Sequence, residues 1–141
     1  PQSVKFNLYL NENITTFDGS HNGYLKKFNK ITKRRLIIDN KNSKIRGEDS
    51  IISLTNRSDR IIFHIRFHLV EGVSFNFTNN KKNIILKTRL NNIWMFKSDV
   101  EVVVEDSIFV DKNTTIPTKQ IVIKGIANQN KLIRKWTLEK I

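Results

Sequence analysis

Apolar and polar residues alternate most cleanly along the stretch that begins at Ile61. Side chains on a strand point to opposite faces in turn, so Ile61, Phe63, Ile65, Phe67 and Leu69 share one face and His64, Arg66 and His68 the other. Wound as a helix, the same apolar residues would scatter round the whole circumference, and β-branched and aromatic side chains favour the pleated conformation. The pattern predicts a long strand with a core face and a cationic face. Gly72 then offers a turn or bulge, and Val73, Phe75 and Phe77 resume the alternation against Ser74, Asn76 and Thr78. These two segments are expected to form the central strand pair.

The same period recurs along the rest of the chain. Val4, Phe6, Leu8 and Leu10 alternate with polar residues and Tyr9, predicting a first strand, whereas residues 11–20 read as turn-rich and polar. Residues 32–38 form a strand with Arg34, Leu36 and Ile38 on one face. Residues 39–43 turn, and residues 44–54 return with an expected break at Gly47. Turns are predicted at residues 55–59 and 79–83. Trp94 with Phe96, the run Val100, Val102 and Val104, and residues 107–110 after a bend mark further strands. Residues 111–118 read as a loop, since Pro117 cannot donate to an interior ladder. Residues 120–125 and 131–141 close the set, with Trp136 and Leu138 on one face. No segment sustains a helical period, so the expected fold is all-β, an antiparallel β-sandwich, with residues 1–141 forming one domain.

Composition narrows the chemistry. With 141 residues, 38% of them hydrophobic and nine Phe among them, the chain can bury a real core. It has no Cys, which removes disulfides and thiolate metal sites. No apolar run approaches the roughly 20 residues that a membrane helix needs. The first residue is Pro1 rather than Met, which is expected of a piece of a longer protein. The net charge of +12 suits a polyanion partner, although the chain is rich in Lys, Asn and Ile throughout, and such a bias places Lys on any solvated face. The positions of Arg are therefore more informative than the number of Lys.

The candidate reactive groups do not assemble. His64 and His68 share a face, but four strand residues separate them by roughly 13 Å, too far for one metal ion with ligands at about 2 Å, and Arg66 between them repels a cation. Glu48 and Asp49 are adjacent and so point to opposite faces; Glu101 and Glu105 share one, at a spacing too wide for a glycosidase carboxylate pair. There is no nucleophile elbow and no phosphate-binding glycine loop. His21 with Tyr24 could supply a base and an orienting partner, or could simply shape a turn.

Taken in order, several short motifs resemble one family. They are Ser20-His21-Asn22-Gly23-Tyr24-Leu25-Lys26-Lys27-Phe28, Lys33-Arg34-Arg35-Leu36, Gly47-Glu48-Asp49-Ser50-Ile51, Arg66-Phe67-His68-Leu69 with Gly72-Val73, Glu105-Asp106-Ser107-Ile108-Phe109, Gln120-Ile121-Val122-Ile123-Lys124-Gly125, and Trp136. Their succession is similar to the C-terminal region of heparinase II/III-like proteins. Thr32 stands where a His is usual, and Val70-Glu71 where His-Pro is usual. The resemblance implies an N-terminal α/α toroid packed on a C-terminal antiparallel β-sandwich, with acidic polysaccharide cleaved by β-elimination in the cleft between them. It also implies that the catalytic Tyr and His, any divalent metal of the parent protein, and the earlier strands of the sandwich lie outside this segment. On that basis the segment itself has no catalytic residue, metal or cofactor and is expected to be inactive alone, and a periplasmic or secreted setting is favoured.

Arg66 and His68 are the first candidates for contact with an acidic polysaccharide such as a glycosaminoglycan, because Arg can grip a carboxylate bidentately. His21, Tyr24 and Arg34 rank after them. Two other functions compete: a polyanion- or nucleic-acid-binding β-domain, and a free-standing carbohydrate-binding module. The first is disfavoured because the Phe residues fall with the aliphatic set rather than on an exposed stacking face. The second is disfavoured because Trp94 and Trp136 alternate in phase with apolar neighbours. No membrane partner is expected.

Overall fold

The computed structural model describes residues 1–56, 59–78 and 80–141, and the expected turns at 55–59 and 79–83 lie partly outside them. Among the described residues the fold is nearly all β, with eleven strands in two antiparallel sheets and one short helix. The strands are β1 (Val4–Leu10), β2 (Ile14–His21), β3 (Lys30–Asp39), β4 (Lys44–Ser53), β5 (Ile61–His68), β6 (Ser74–Phe77), β7 (Asn83–Lys87), β8 (Ile93–Ser98), β9 (Val103–Asp111), β10 (Thr114–Ala127) and β11 (Lys131–Lys140). The helix α1 (Leu25–Phe28) is a single turn. It stops at Asn29, whose left-handed backbone (φ 55°) lets its N–H return to the Leu25 carbonyl at 2.8 Å.

The large sheet runs β1-β2-β3-β4-β11-β8-β7-β6, and the small one β5-β10-β9. In the large sheet β11 lies between β4 and β8 and joins two otherwise separate meanders. The core forms where the sheets face each other: Ile84, Leu86, Phe96 and Trp136 from the large sheet meet Ile121 and Ile123 from the small one, with Val102 beside β9. Phe67 packs edge-on to Trp136 at 4.7 Å between ring centroids and tilts against Phe96 at 5.0 Å. Trp136 itself lies across Gly47, its directly paired residue, where a side chain would collide with the indole. Glycine at 47 therefore makes room for the ring, and β4 runs through without the expected break.

Other sequence expectations are corrected. Residues 14–21 are strand, not turn: pairing to β1 and β3 on both sides outweighs their Thr, Asp and Gly content. The β5 and β6 strands do not pair; β5 belongs to the small sheet and β6 pairs with β7 in the large one, because the left-handed turn at Gly72 (φ 80°) redirects the chain. Pro117 lies within β10, in the part that has β9 on one side only, where a missing N–H costs no ladder bond to β5. The face assignment of β5 is as expected, with Phe63, Ile65 and Phe67 turned inward and His64, Arg66 and His68 outward, although the inward set is half-buried rather than nearly buried.

Candidate functional site

The five candidate residues divide between two places. His68 and Arg66 stand on the outer face of the small sheet with His64, Lys124 and Glu105. Arg66 donates to Glu105 Oε2 at 3.1 Å and lies 3.0 Å from His64 Nδ1. Lys124 pairs with the other oxygen of Glu105. Held first by Lys124 and then by Arg66, the Glu105 carboxyl titrates below the ordinary glutamate range. Two cations thus share one carboxylate, which leaves this patch net positive. His68 Nδ1 is 2.8 Å from Ser107 Oγ, across the sheet on β9.

The other three candidates line a cavity of about 940 Å3 between β5 and the β2–β3 half of the large sheet. Arg66 reaches this cavity as well; His68 does not. His21 Nδ1 accepts from the Gly23 N–H at 3.2 Å, so the proton of the neutral ring sits on Nε2, which donates to Thr32 Oγ1 at 2.7 Å. Thr32 therefore fixes the ring of His21. Tyr24 tilts against that ring at 5.4 Å and against Phe28 at 6.4 Å. Arg34 grips Asp49 with two bonds, at 2.6 and 3.1 Å, and its guanidinium lies over Phe67 and Trp136.

Several neighbours of these residues were not singled out from the sequence. Lys30 is 1% exposed, with its ammonium on Ser53 Oγ, and Arg60 opens the run of β5 residues along the cavity. Asp49 and Lys124 fell inside recognised motifs, but only tertiary pairing shows that Asp49 serves Arg34 and Lys124 serves Glu105. Among the described residues, no group of three His, Asp or Glu side chains is placed to hold a metal ion. Nor, among them, is any helix long and apolar enough to cross a membrane.

A two-sheet antiparallel sandwich with a cationic outer patch and an open cavity between its sheets is the class of domain that this geometry defines. Its sequence matches the family described as heparinase II/III-like, C-terminal, over residues 4–137, and the chain belongs to that family. The fold is similar to that of a mutant of heparan sulfate lyase HepC from Pedobacter heparinus, with a TM-score of 0.78 at 12% identity, covering 97% of this chain and 21% of that one. It is also similar to a heparinase III gene product (TM-score 0.76, 9% identity, 97% and 22% covered) and to a further heparinase III (0.70, 13%, 96% and 21%). The chain spans about a fifth of the length of these proteins. A search by sequence among curated proteins finds no match.

Proposed function

We propose that this chain is the β-sandwich part of a heparinase II/III-like polysaccharide lyase, a protein that cleaves acidic polysaccharide by β-elimination with catalytic residues outside residues 1–141. The observation that carries this reading is the alignment itself: 97% of the chain superposes on a fifth of a heparan sulfate lyase. The part played by the segment is then to brace the α/α toroid of the parent protein and to present cations to the substrate. Arg66 and His68 are the contacts favoured first. They stand on an outer patch where Arg66 and Lys124 together exceed the single charge of Glu105. Arg34, His21 and Tyr24 stand second, since each is held within the domain by the bonds and ring contacts described above.

The test is binding of heparan sulfate oligosaccharides to the 141-residue chain at rising salt, with unsaturated uronate followed by ultraviolet absorbance. The expected result is salt-sensitive binding that Arg66→Ala weakens by about tenfold, the loss of one charge-assisted contact, with no unsaturated product. Turnover by this chain would overturn the placement of the catalytic residues. Equal binding by Arg66→Ala would overturn the assignment of the patch.

A further inference from the structure

An asparagine side chain and the main-chain nitrogen of the next residue are near enough in the covalent structure to close a succinimide ring. Closure is slow in most chains, because that nitrogen is a poor nucleophile while it keeps its proton and because a side chain on the next residue crowds it. Asn22-Gly23 is the only Asn-Gly step in the sequence. Here the Gly23 N–H donates to His21 Nδ1 at 3.2 Å, and the Nε2–H of the same ring is held by Thr32 Oγ1 at 2.7 Å. A nucleophile, a base within hydrogen-bond reach of its proton, and a third group that orients the base follow one another. Glycine keeps the nitrogen open: a Cβ at position 23 would lie 3.1 Å from His21 Nδ1.

The carbonyl facing that nucleophile is polarised by the start of the chain. Asn22 Oδ1 accepts from the backbone N–H of Gln2 at 3.1 Å and from that of Ser3 at 2.9 Å. Only the oxygen of an amide can accept from two N–H donors, so the orientation of the Asn22 side chain is fixed. Paired main-chain donors on one carbonyl oxygen stabilise the negative charge of the tetrahedral intermediate in acyl transfer. The sheet holds them in place: the Asn22 N–H donates to the Ser3 carbonyl at 3.3 Å, one step beyond the paired Val4 and His21. Gly23 is exposed, so water reaches the ring once it has formed. Asn42, which precedes the small Ser43, has its side-chain amide tied to Asp39 instead.

We propose that Asn22-Gly23 is a self-modification site, at which the fold itself promotes loss of the Asn22 side-chain amide. His21 Nδ1 takes the Gly23 proton as the Gly23 nitrogen attacks Asn22 Cγ. The N–Cγ bond forms, the Cγ–Nδ2 bond breaks, and Nδ2 leaves as ammonia with the proton that His21 returns. Water then opens the succinimide at one or other carbonyl and leaves aspartate or isoaspartate at position 22, with no change of oxidation state. A neutral amide becomes a carboxylate beside His21 and Tyr24, which line the cavity. Isoaspartate also lengthens the main chain at the residue that pins Gln2 and Ser3. The reaction is independent of the saccharide reading, which concerns the outer face of the small sheet.

The experiment incubates the 141-residue chain near neutral pH, folded and in concentrated urea. Ammonia release is followed with the mass gain of the peptide that contains Asn22, and isoaspartate is scored with an isoaspartate-specific methyltransferase. The folded chain is expected to react at Asn22 about tenfold faster than the unfolded one, because the fold's resistance to ring closure offsets part of the roughly hundredfold or more that a positioned base contributes. Asn42 should show no such acceleration. His21→Phe should remove the folded chain's advantage. Thr32→Val, which keeps the shape of the side chain and removes the acceptor that orients His21, should reduce it severalfold whether or not the His21 variant folds. A folded rate equal to or below the unfolded rate, an advantage that survives both substitutions, or scission of the chain between residues 22 and 23 in place of ammonia loss would overturn the proposal.

Discussion

Arg34 and Asp49, neighbours across β3 and β4, are joined by two hydrogen bonds at 2.6 and 3.1 Å, and Asp49 Oδ2 also accepts the indole N–H of Trp136 at 2.9 Å. A cation in front of an open cavity is thus committed to the fold, with its guanidinium stacked over the two rings that centre the core. Asp49→Ala leaves both the indole N–H and the guanidinium without their acceptor. The expected loss is about 2–3 kcal/mol, within the range for bonds to charged groups and discounted for the partial exposure of Arg34. Urea denaturation followed by tryptophan fluorescence measures it.

Phe67 and its neighbour Arg66 should behave as opposites. Phe67→Ala opens a cavity against Phe96 and Trp136 and is expected to cost about 3 kcal/mol, the low end for such a truncation because the side chain is half-buried. Arg66→Ala removes a partly exposed ion pair and should cost under about 1 kcal/mol. Paired denaturation curves decide; a larger loss at Arg66 would mean that the two faces of β5 carry the reverse of their assigned roles.

Gly47→Ala tests the contact under Trp136. The nearest indole atom lies 2.0 Å from where the new methyl carbon would be, so the ring must move. A destabilisation of about 1–3 kcal/mol is expected from overpacking, together with a changed near-ultraviolet circular dichroism band from Trp136. An unchanged band would show that the ring does not rest on this glycine.

Glu139 lies between Lys44 at 2.7 Å and Lys97 at 2.9 Å, and these two, Lys44 first, hold its carboxyl at about 2, against an ordinary 4.5. The folded state therefore binds this proton less readily than the unfolded chain does. The stabilisation is complete above about 4.5 and is lost as pH falls toward 2. Glu105 is depressed in the same direction by Lys124 and Arg66, so it adds to the same acid limb. Melting temperature measured from neutral pH downward should fall through this window, and Glu139→Gln should flatten the fall while lowering the neutral plateau.

What could be read from the sequence was periodicity. The alternation from Ile61 gave β5 and its two faces, and the regular spacing of strands gave the sandwich, because side-chain phase is a local property. Pairing partners are not local. Nothing between residues 61 and 77 distinguishes a hairpin from two strands in different sheets, so β5 and β6 were expected to pair. The polar content of β2 hid a strand whose stability comes from neighbours on both sides. The candidate residues were read in the same way: His64, Arg66 and His68 followed from phase, whereas the bond of His21 to Thr32, the clasp of Arg34 on Asp49 and the burial of Lys30 depend on residues brought together by register.

The place of β11 bears on the order in which the molecule can assemble. The meander β1 to β4 and the meander β6 to β8 can each begin from short-range turns, but they become one sheet only when residues 131–140 slot between them. Trp136, which carries the contacts to Gly47, Asp49, Phe67 and Phe96, arrives with that strand, and its bond to Asp49 closes a loop of 87 residues. On the ribosome, much of the large sheet is therefore made before the strand that completes it, and β4 and β8 wait with unpaired edges. Such a topology folds slowly and late, with its unpaired edges open to wrong partners until the final strand is in place.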